Sequence, residues 1–362
     1  MKKGAKVFVT DCEGPISKND NAFELMSRIV PTGDRIFALV SRYDDVLADV
    51  VKKKGYKAGD TLRLILPFMK AYGATNKLIT DYSSRNILLV PGAEETLSSV
   101  NALMPSFIVS TSYEQYIHSL CDVTGFHKEN VYCTRLDIDK YSLPEGEVTR
   151  IKGIAAELST TPMIDFPSNA ASLDDFSKGS REIISRLDEI FWSELSEMQA
   201  GKMTREVNPV GGYEKAVAVK DIAQKTGADL SDVIYVGDSI TDVEPFRLVR
   251  SSGGLTVSFN GNRYAVREAE IAVMSHHTCI TTVMAEVFNR FGKRKTLDLA
   301  NNWTLENIKP LCSPSLFKKY ERVVAEKPVR VKKTTLDNME KIVSESSDFR
   351  KTVRGEAIGK LG

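Results

Sequence analysis

Lys6-Val7-Phe8-Val9-Thr10-Asp11-Cys12-Glu13-Gly14-Pro15 is the stretch on which the reading of this chain turns. A short apolar run rich in β-branched residues ends in two carboxylates two positions apart, and Gly-Pro comes directly after. Side chains alternate along a strand, so Asp11 and Glu13 leave its end on one side while Cys12 faces the other way, into a core. Two such acids beside a glycine that lets backbone approach closely suit a cation and an anionic ligand. Read alone, the ten residues suit a surface strand ending in a polar turn equally well. The remainder of the chain decides between the two.

A chain of 362 residues exceeds one comfortable core, so more than one structural unit is expected. Its 42% hydrophobic and 27% charged residues are those of an ordinary globular protein, which sets disorder aside. A net charge of +1 gives no global case for nucleic acid or a membrane surface as partner. The charge is nevertheless uneven: residues 293–362 hold 16 Lys and Arg against 9 Asp and Glu, which leaves the rest of the chain acidic. Cys12, Cys121, Cys133, Cys279 and Cys312 show no CxxC spacing, which argues against zinc or a disulfide framework and for a reducing, cytoplasmic compartment. No apolar stretch approaches the roughly 18 residues needed to span a bilayer. The apolar run after the opening Met-Lys-Lys is also too short for a signal peptide.

Beyond the first strand, residues 20–85 carry helical periodicity and no convincing strand, with Phe23, Met26 and Ile29, then Phe37, Val40, Val46, Leu47 and Val50, at three- and four-residue steps. Strand-like runs at 106–112, 131–133, 233–236, 255–259 and 271–273 then alternate with helical stretches at 93–102, 115–123, 213–226 and 242–249. This alternation predicts an α/β core, a parallel sheet with helices on both faces, with 271–273 as its last strand. Residues 136–208 interrupt it with two more helical stretches, and from 293 onward the chain reads as helical pieces broken by Pro310, Pro314 and Pro328. The core is thus expected from 1–19, 86–135 and 209–292. Residues 20–85 and 136–208 are insertions into it, and 293–362 is a basic helical extension.

Four polar pieces fall at strand ends or at the start of a helix: Asp11-Cys12-Glu13-Gly14; Ser110 with Thr111 and Ser112; Lys215 after Gly211-Gly212; and Gly237-Asp238-Ser239-Ile240-Thr241-Asp242. In an open parallel sheet, ligands bind at the carboxyl ends of the strands, where all four would meet. In this order, with 23 residues from Lys215 to Asp238, the set resembles the haloacid dehalogenase-type phosphohydrolase superfamily, in particular its phosphoserine phosphatase-like branch. The pattern there is a strand then D-x-D-G, a strand then Ser or Thr, a Lys, and a strand then G-D-x-x-x-D. The resemblance covers a Rossmann-like core, not the insertions or the tail. Residues 253–268, with Val257-Ser258-Phe259-Asn260-Gly261-Asn262, also resemble the segment after the last motif in that branch.

The resemblance implies a Mg²⁺-dependent phosphatase acting on a small phosphorylated metabolite through an aspartyl-phosphate. It makes Asp11 the nucleophile, Glu13 the general acid and base, and Asp11, Glu13 (through its backbone carbonyl), Asp238 and Asp242 the metal set, the last directly or through water. Ser110, or Thr111 or Ser112 beside it, would hold the phosphoryl group with Gly14 and Lys215. Asp20 lies where phosphoserine phosphatases place an acid that contacts the substrate amine. Aspartate is commoner than glutamate at position 13; the extra methylene moves the proton donor by about an ångström and puts the substrate's geometry, more than the activity, in question. Plainer readings stand beside these: Asp242 as a helix cap, and His276-His277 as a loop pair, since neighbouring residues do not share a face.

In this superfamily an insertion after the first motif forms a cap over the site, which is the place of residues 20–85. Arg35, Arg42, Arg63 and Arg85 are then all candidates for a substrate carboxylate. Residues 136–208 are larger than the phosphoserine phosphatase pattern requires and read as an additional cap or a docking element. The long chain with its C-terminal helices is also similar in layout to archaeal proteins named as energy-converting hydrogenase A subunit R. That layout raises a protein partner, through the second insertion or the basic tail, as an alternative to catalysis. Phosphoryl transfer to an alcohol is a further alternative. Neither nucleic acid nor membrane insertion is expected, and the tail is expected to pack on the acidic remainder of the chain.

Overall fold

In the computed structural model, which describes residues 5–167 and 169–361, seven strands share one sheet. They are β1 (Val7–Thr10), β2 (Ser106–Tyr113), β3 (Val131–Thr134), β4 (Val233–Gly237), β5 (Leu255–Phe259), β6 (Ile271–Met274) and β7 (Arg330–Lys333). Their order is β3-β2-β1-β4-β5-β6-β7. The first six run parallel, as expected. Strand alternation sorts the side chains into two layers: Phe8, Ile234, Val236 and Val257 enter one apolar cluster, while Val7, Val9, Val233 and Tyr235 enter another. Both faces of the central strands are therefore buried under helices, which is why they read as continuous β-branched runs.

The direction of winding reverses at β1, which pairs with β2 on one side and β4 on the other. Thr10 lies level with Val236 across this switch. The crevice outside the carboxyl ends of β1 and β4 is where a doubly wound sheet leaves room for a ligand, and Asp11 and Asp238 are the next residues along the chain there.

Residues 20–85 and 136–208 fold against each other. Phe37, Val40, Tyr43 and Phe68 share an apolar cluster with Ile151, Ile184, Phe191 and Leu195. Tyr43 stacks on Phe191 with ring centroids 5.9 Å apart, and its hydroxyl donates to Asp188 at 2.5 Å while accepting from Trp192 Nε1 at 2.8 Å. The two insertions thus share one core above the carboxyl edge of the sheet. Gly212 N donates to Ala58 O at 3.2 Å, which seats that unit on the core at the carboxyl edge of its sheet.

The tail is helical in pieces, as expected, but the expectation that 271–273 is the last strand fails at Arg330–Lys333. This segment pairs antiparallel with β6 as β7. An edge strand needs only one buried face, and Val331 supplies it among charged neighbours, so no apolar pattern marks it in the sequence. The next helix, Met339–Arg354, packs along β6 and the helix Arg263–Glu268, with Ile342 beside Val266 and Ala272. It ends over the crevice between β1 and β4.

Candidate active site

Each catalytic candidate is placed by a short local device. Asp11 comes directly after the last residue of β1; its backbone N–H donates to Val236 O at 2.8 Å, and its Oδ1 accepts from Cys12 N at 2.6 Å. Cys12 turns into the opposite core beside Ile16, Ile108 and Tyr116. Gly14 has φ +106, and a β-carbon there would lie 2.0 Å from Asp238 Oδ2, so only glycine lets β1 and β4 close to this distance. Lys215 projects from the first turn of the helix Gly212–Thr226 and is fully buried.

Lys215 Nζ donates to Asp11 Oδ2 at 2.6 Å and to Asp242 Oδ1 at 2.9 Å. Asp242 also accepts from Tyr235 Oη at 2.7 Å, and its Oδ2 accepts from Asp238 N at 2.8 Å and Ser239 N at 3.1 Å. Both its oxygens are thus engaged, and it closes a capping box with Ser239 as well as joining the site. Asp11, Asp238 and Asp242 offer oxygens that all lie within 4.8 Å of one another, a buried all-oxygen set that fits a hard divalent cation. Burial pushes the Asp11 carboxyl up to about 7, with Lys215 pulling it down and Asp242 and Asp238 pushing it further up. Crowded carboxylates of this kind carry an unmet demand for positive charge.

A small cavity of about 110 Å³ opens on these groups and is also lined by Glu13, Asp20, Ser110, Thr111 and Ser112. Glu13 Oε1 accepts from Asn21 N at 2.7 Å, and burial, reinforced by Asp20, holds its carboxyl well above the ordinary glutamate range. Asp20 Oδ1 accepts from Phe23 N at 3.0 Å and so caps the helix Asn21–Ile29 while facing the same cavity. Ser110 Oγ accepts from Ser112 N at 3.2 Å, and Thr111 Oγ1 is buried without a partner among the described residues. The ten motif residues named in the sequence, Asp11, Glu13, Gly14, Asp20, Ser110, Thr111, Ser112, Lys215, Asp238 and Asp242, therefore meet in one place.

A match to the family model described as haloacid dehalogenase-like hydrolase spans residues 94–286. The chain belongs to this family. Among solved structures, the chain is similar to gene product AF1437 from Archaeoglobus fulgidus at 26% identity and a TM-score of 0.78, over 99% of both chains. A phospho-aspartyl intermediate analogue of phosphoserine phosphatase matches at 12% identity and a TM-score of 0.43, over 75% of this chain and 93% of that one. A substrate-bound phosphoserine phosphatase matches at 13% and 0.41, over the same shares. Overlays as loose as these last two say nothing about the site. No match was found among curated proteins.

Within this haloacid dehalogenase-like hydrolase, four expectations about substrate contacts do not materialise. Arg35 donates to Thr161 O at 2.8 Å, Arg42 lies 3.6 Å from Asp45, Arg63 pairs with Asp60, and Arg85 lines a separate groove with Arg28 and Lys77. None of them lines the catalytic cavity. Its arginines come instead from the far end of the chain: Arg350 and Arg354, both on the helix Met339–Arg354, reach the Asp238 carboxylate. The tail's basic surplus and the four-residue spacing of the pair, which puts both on one helix face, were the signals for them. His276 packs on Phe349 at 4.6 Å between ring centroids and His277 Nδ1 accepts from Cys279 N at 3.0 Å, so both histidines serve the loop. Among the described residues no helix is long and apolar enough to cross a membrane.

Proposed function

We propose that the protein is a Mg²⁺-dependent phosphatase that hydrolyses a small phosphomonoester through an aspartyl-phosphate. The observation that supports this most is the convergence of Asp11, Lys215 and Asp238 at the switch point of the sheet, with Glu13 lining the same cavity. Phosphate monoesters hydrolyse extremely slowly unaided, so a catalyst must neutralise charge and align the attack.

Asp11 is the nucleophile: its carboxylate oxygen bonds to phosphorus as the ester P–O bond breaks. The leaving alkoxide takes its proton from Glu13, whose raised pKa keeps a proton available near neutrality. Water then attacks phosphorus, Glu13 takes back a proton, and phosphate leaves with Asp11 restored. Lys215 and Ser110 hold phosphoryl oxygens as negative charge builds on them. Asp11, Asp238 and the Glu13 backbone carbonyl would hold the Mg²⁺, which supplies charge neutralisation between the carboxylates and the phosphoryl group. Asp242, with both oxygens already accepting hydrogen bonds, orients Lys215 and the Asp238 backbone.

The test is release of inorganic phosphate from 2-hydroxyethyl phosphate and other phosphomonoesters of that size, with and without Mg²⁺. Turnover is expected only with the metal and is expected to be lost in Asp11→Asn. Undiminished turnover in Asp11→Asn would sink the mechanism.

A further inference from the structure

We propose that Arg350 reads a second anionic group on the substrate, so that the protein's ligand is a compact phosphomonoester carrying a carboxylate or a second phosphoryl group. The proposal rests on the phosphatase reading above and names its substrate class.

The helix that delivers Arg350 is fixed by packing independent of the site. Ser346 Oγ donates to Gly261 O at 2.7 Å, Phe349 packs against His276 with the rings tilted, and Ile342 sits beside Ala272 of β6. Of the two arginines at its end, Arg354 is an anchor. Its Nε donates to Lys18 O at 3.1 Å, its Nη1 to Asp238 Oδ2 at 3.2 Å, and its Nη2 to Asn19 O.

Arg350 is different. It is buried and lines the cavity, yet its hydrogen bonds among the described residues all leave from Nη1, to the Asp238 carboxylate and to the carbonyls of Asp238 (3.3 Å) and Asn260 (3.5 Å). Its Nε–H is buried with no acceptor among the described residues. A buried charged donor without a partner is costly, and such groups in native proteins usually await a ligand or a water. The planar guanidinium fork matches carboxylate and phosphate geometry.

Charge points the same way. Asp11, Glu13, Asp20 and Asp238 all line the cavity, so a substrate with an extra anion would be repelled unless a cation faced it. Lys215 pairs with Asp11 and Asp242, and its remaining donor is assigned above to the transferred phosphoryl group. The cap arginines lie elsewhere. Among the described residues at the cavity, Arg350 is the cation with a buried N–H that meets no acceptor, and the cavity's small volume limits the ligand to a few heavy atoms beyond the phosphoryl group.

Binding to the full-length Asp11→Asn protein, measured by calorimetry with Mg²⁺ present, tests this without relying on turnover. The probes are 2-hydroxyethyl phosphate, phosphoglycolate and ethylene glycol bisphosphate, which share a scaffold and differ in the second group. At least one of the two-headed probes is expected to bind about tenfold tighter than the hydroxyethyl ester, and whichever does so identifies the second group. Adding Arg350→Gln is expected to bring that ratio to near unity. Should this variant not fold by circular dichroism, Arg350→Lys takes its place, with the ratio falling at least about threefold because lysine lacks the fork. Equal affinity for all three probes in Asp11→Asn overturns the proposal, as does a ratio that survives loss of Arg350. A general gain in affinity on replacing Arg350 overturns it too, since the arginine would then be a plug. Absence of phosphate release from all three of these small esters in the unmodified protein would instead undo the phosphatase reading, and leaves the binding ratio to be judged by itself.

Discussion

Lys215 Nζ sits 2.6 Å from Asp11 Oδ2, and the contact ties the helix Gly212–Thr226 to the end of β1. The same ammonium bonds Asp242, so one fully buried cation serves two buried carboxylates. Burial pulls its pKa down, but Asp11 and Asp242 more than offset this and hold it above the ordinary lysine value. The contact is therefore structural as well as chemical, and the two roles separate on mutation.

Lys215→Met leaves Asp11 and Asp242 buried without their shared partner. Removing one member of a buried ion pair costs on the order of 3–5 kcal/mol. Urea unfolding is expected to show a loss of that size, with turnover falling as well. A stability loss below about 1 kcal/mol would mean that water reaches these carboxylates and that the ion pair is not buried in solution.

Metal binding is expected to stabilise the folded protein, because the acidic set exists only when β1 and β4 are together. One site at a hundred times its dissociation constant adds about 2.7 kcal/mol. Differential scanning fluorimetry should show a rise in melting temperature with Mg²⁺, absent in Asp238→Asn. The readout is independent of turnover, so it isolates the cation site from the chemistry.

Gly14→Ala tests the same closure from the backbone side. A β-carbon 2.0 Å from Asp238 Oδ2, at a φ of +106 that L side chains rarely adopt, displaces that carboxylate or moves the turn. The expected outcome is a destabilised protein whose melting temperature no longer responds to Mg²⁺. A full Mg²⁺ response in this variant would remove Asp238 from the proposed ligand set.

The core and the acids at its strand ends were legible in the sequence because each rests on local pattern. Strands buried on both faces read as β-branched runs, and Gly14 and Gly237 mark approaches too close for a side chain, each to an aspartate of the site. What escaped were features set by contact at long range. β7 carries its information in its pairing with β6 and not in its own Arg-Val-Lys-Lys composition. Arg350 is polar on a polar helix, and nothing within the helix says that one turn of it faces Asp238. Of the partners of the arginines in 20–85, Asp45 and Asp60 lie three residues from Arg42 and Arg63 and were within local reach, whereas Thr161 and Thr204 depend on how the two segments fold together.

Asp44 supplies a prediction in pH. It is buried in the helical segment 20–85, accepts from Tyr56 Oη at 2.5 Å and from Gly59 N at 2.9 Å, and lines the cavity with Gly59. Burial raises its pKa to about 8, against the lowering effect of those two hydrogen bonds and with help from Asp60 and Asp45. Because the folded carboxyl holds its proton to a higher pH than the unfolded one, the unfolded chain binds fewer protons between about pH 4 and pH 8. Stability from this group therefore falls as pH rises through that window and levels off above it. Asp44→Asn removes the titration while its amide can still pair with Tyr56 and Gly59. From pH 5 to pH 8 the unfolding free energy from urea titration is expected to drop further in the native protein than in Asp44→Asn, by at least about 1.4 kcal/mol, the equivalent of one pKa unit. Asp45, also raised by burial, is common to both proteins and cancels in the comparison. Equal pH dependence in the two would show that Asp44 titrates like an exposed carboxylate, and that the segment around Asp44 and Gly59 stands open to water in solution.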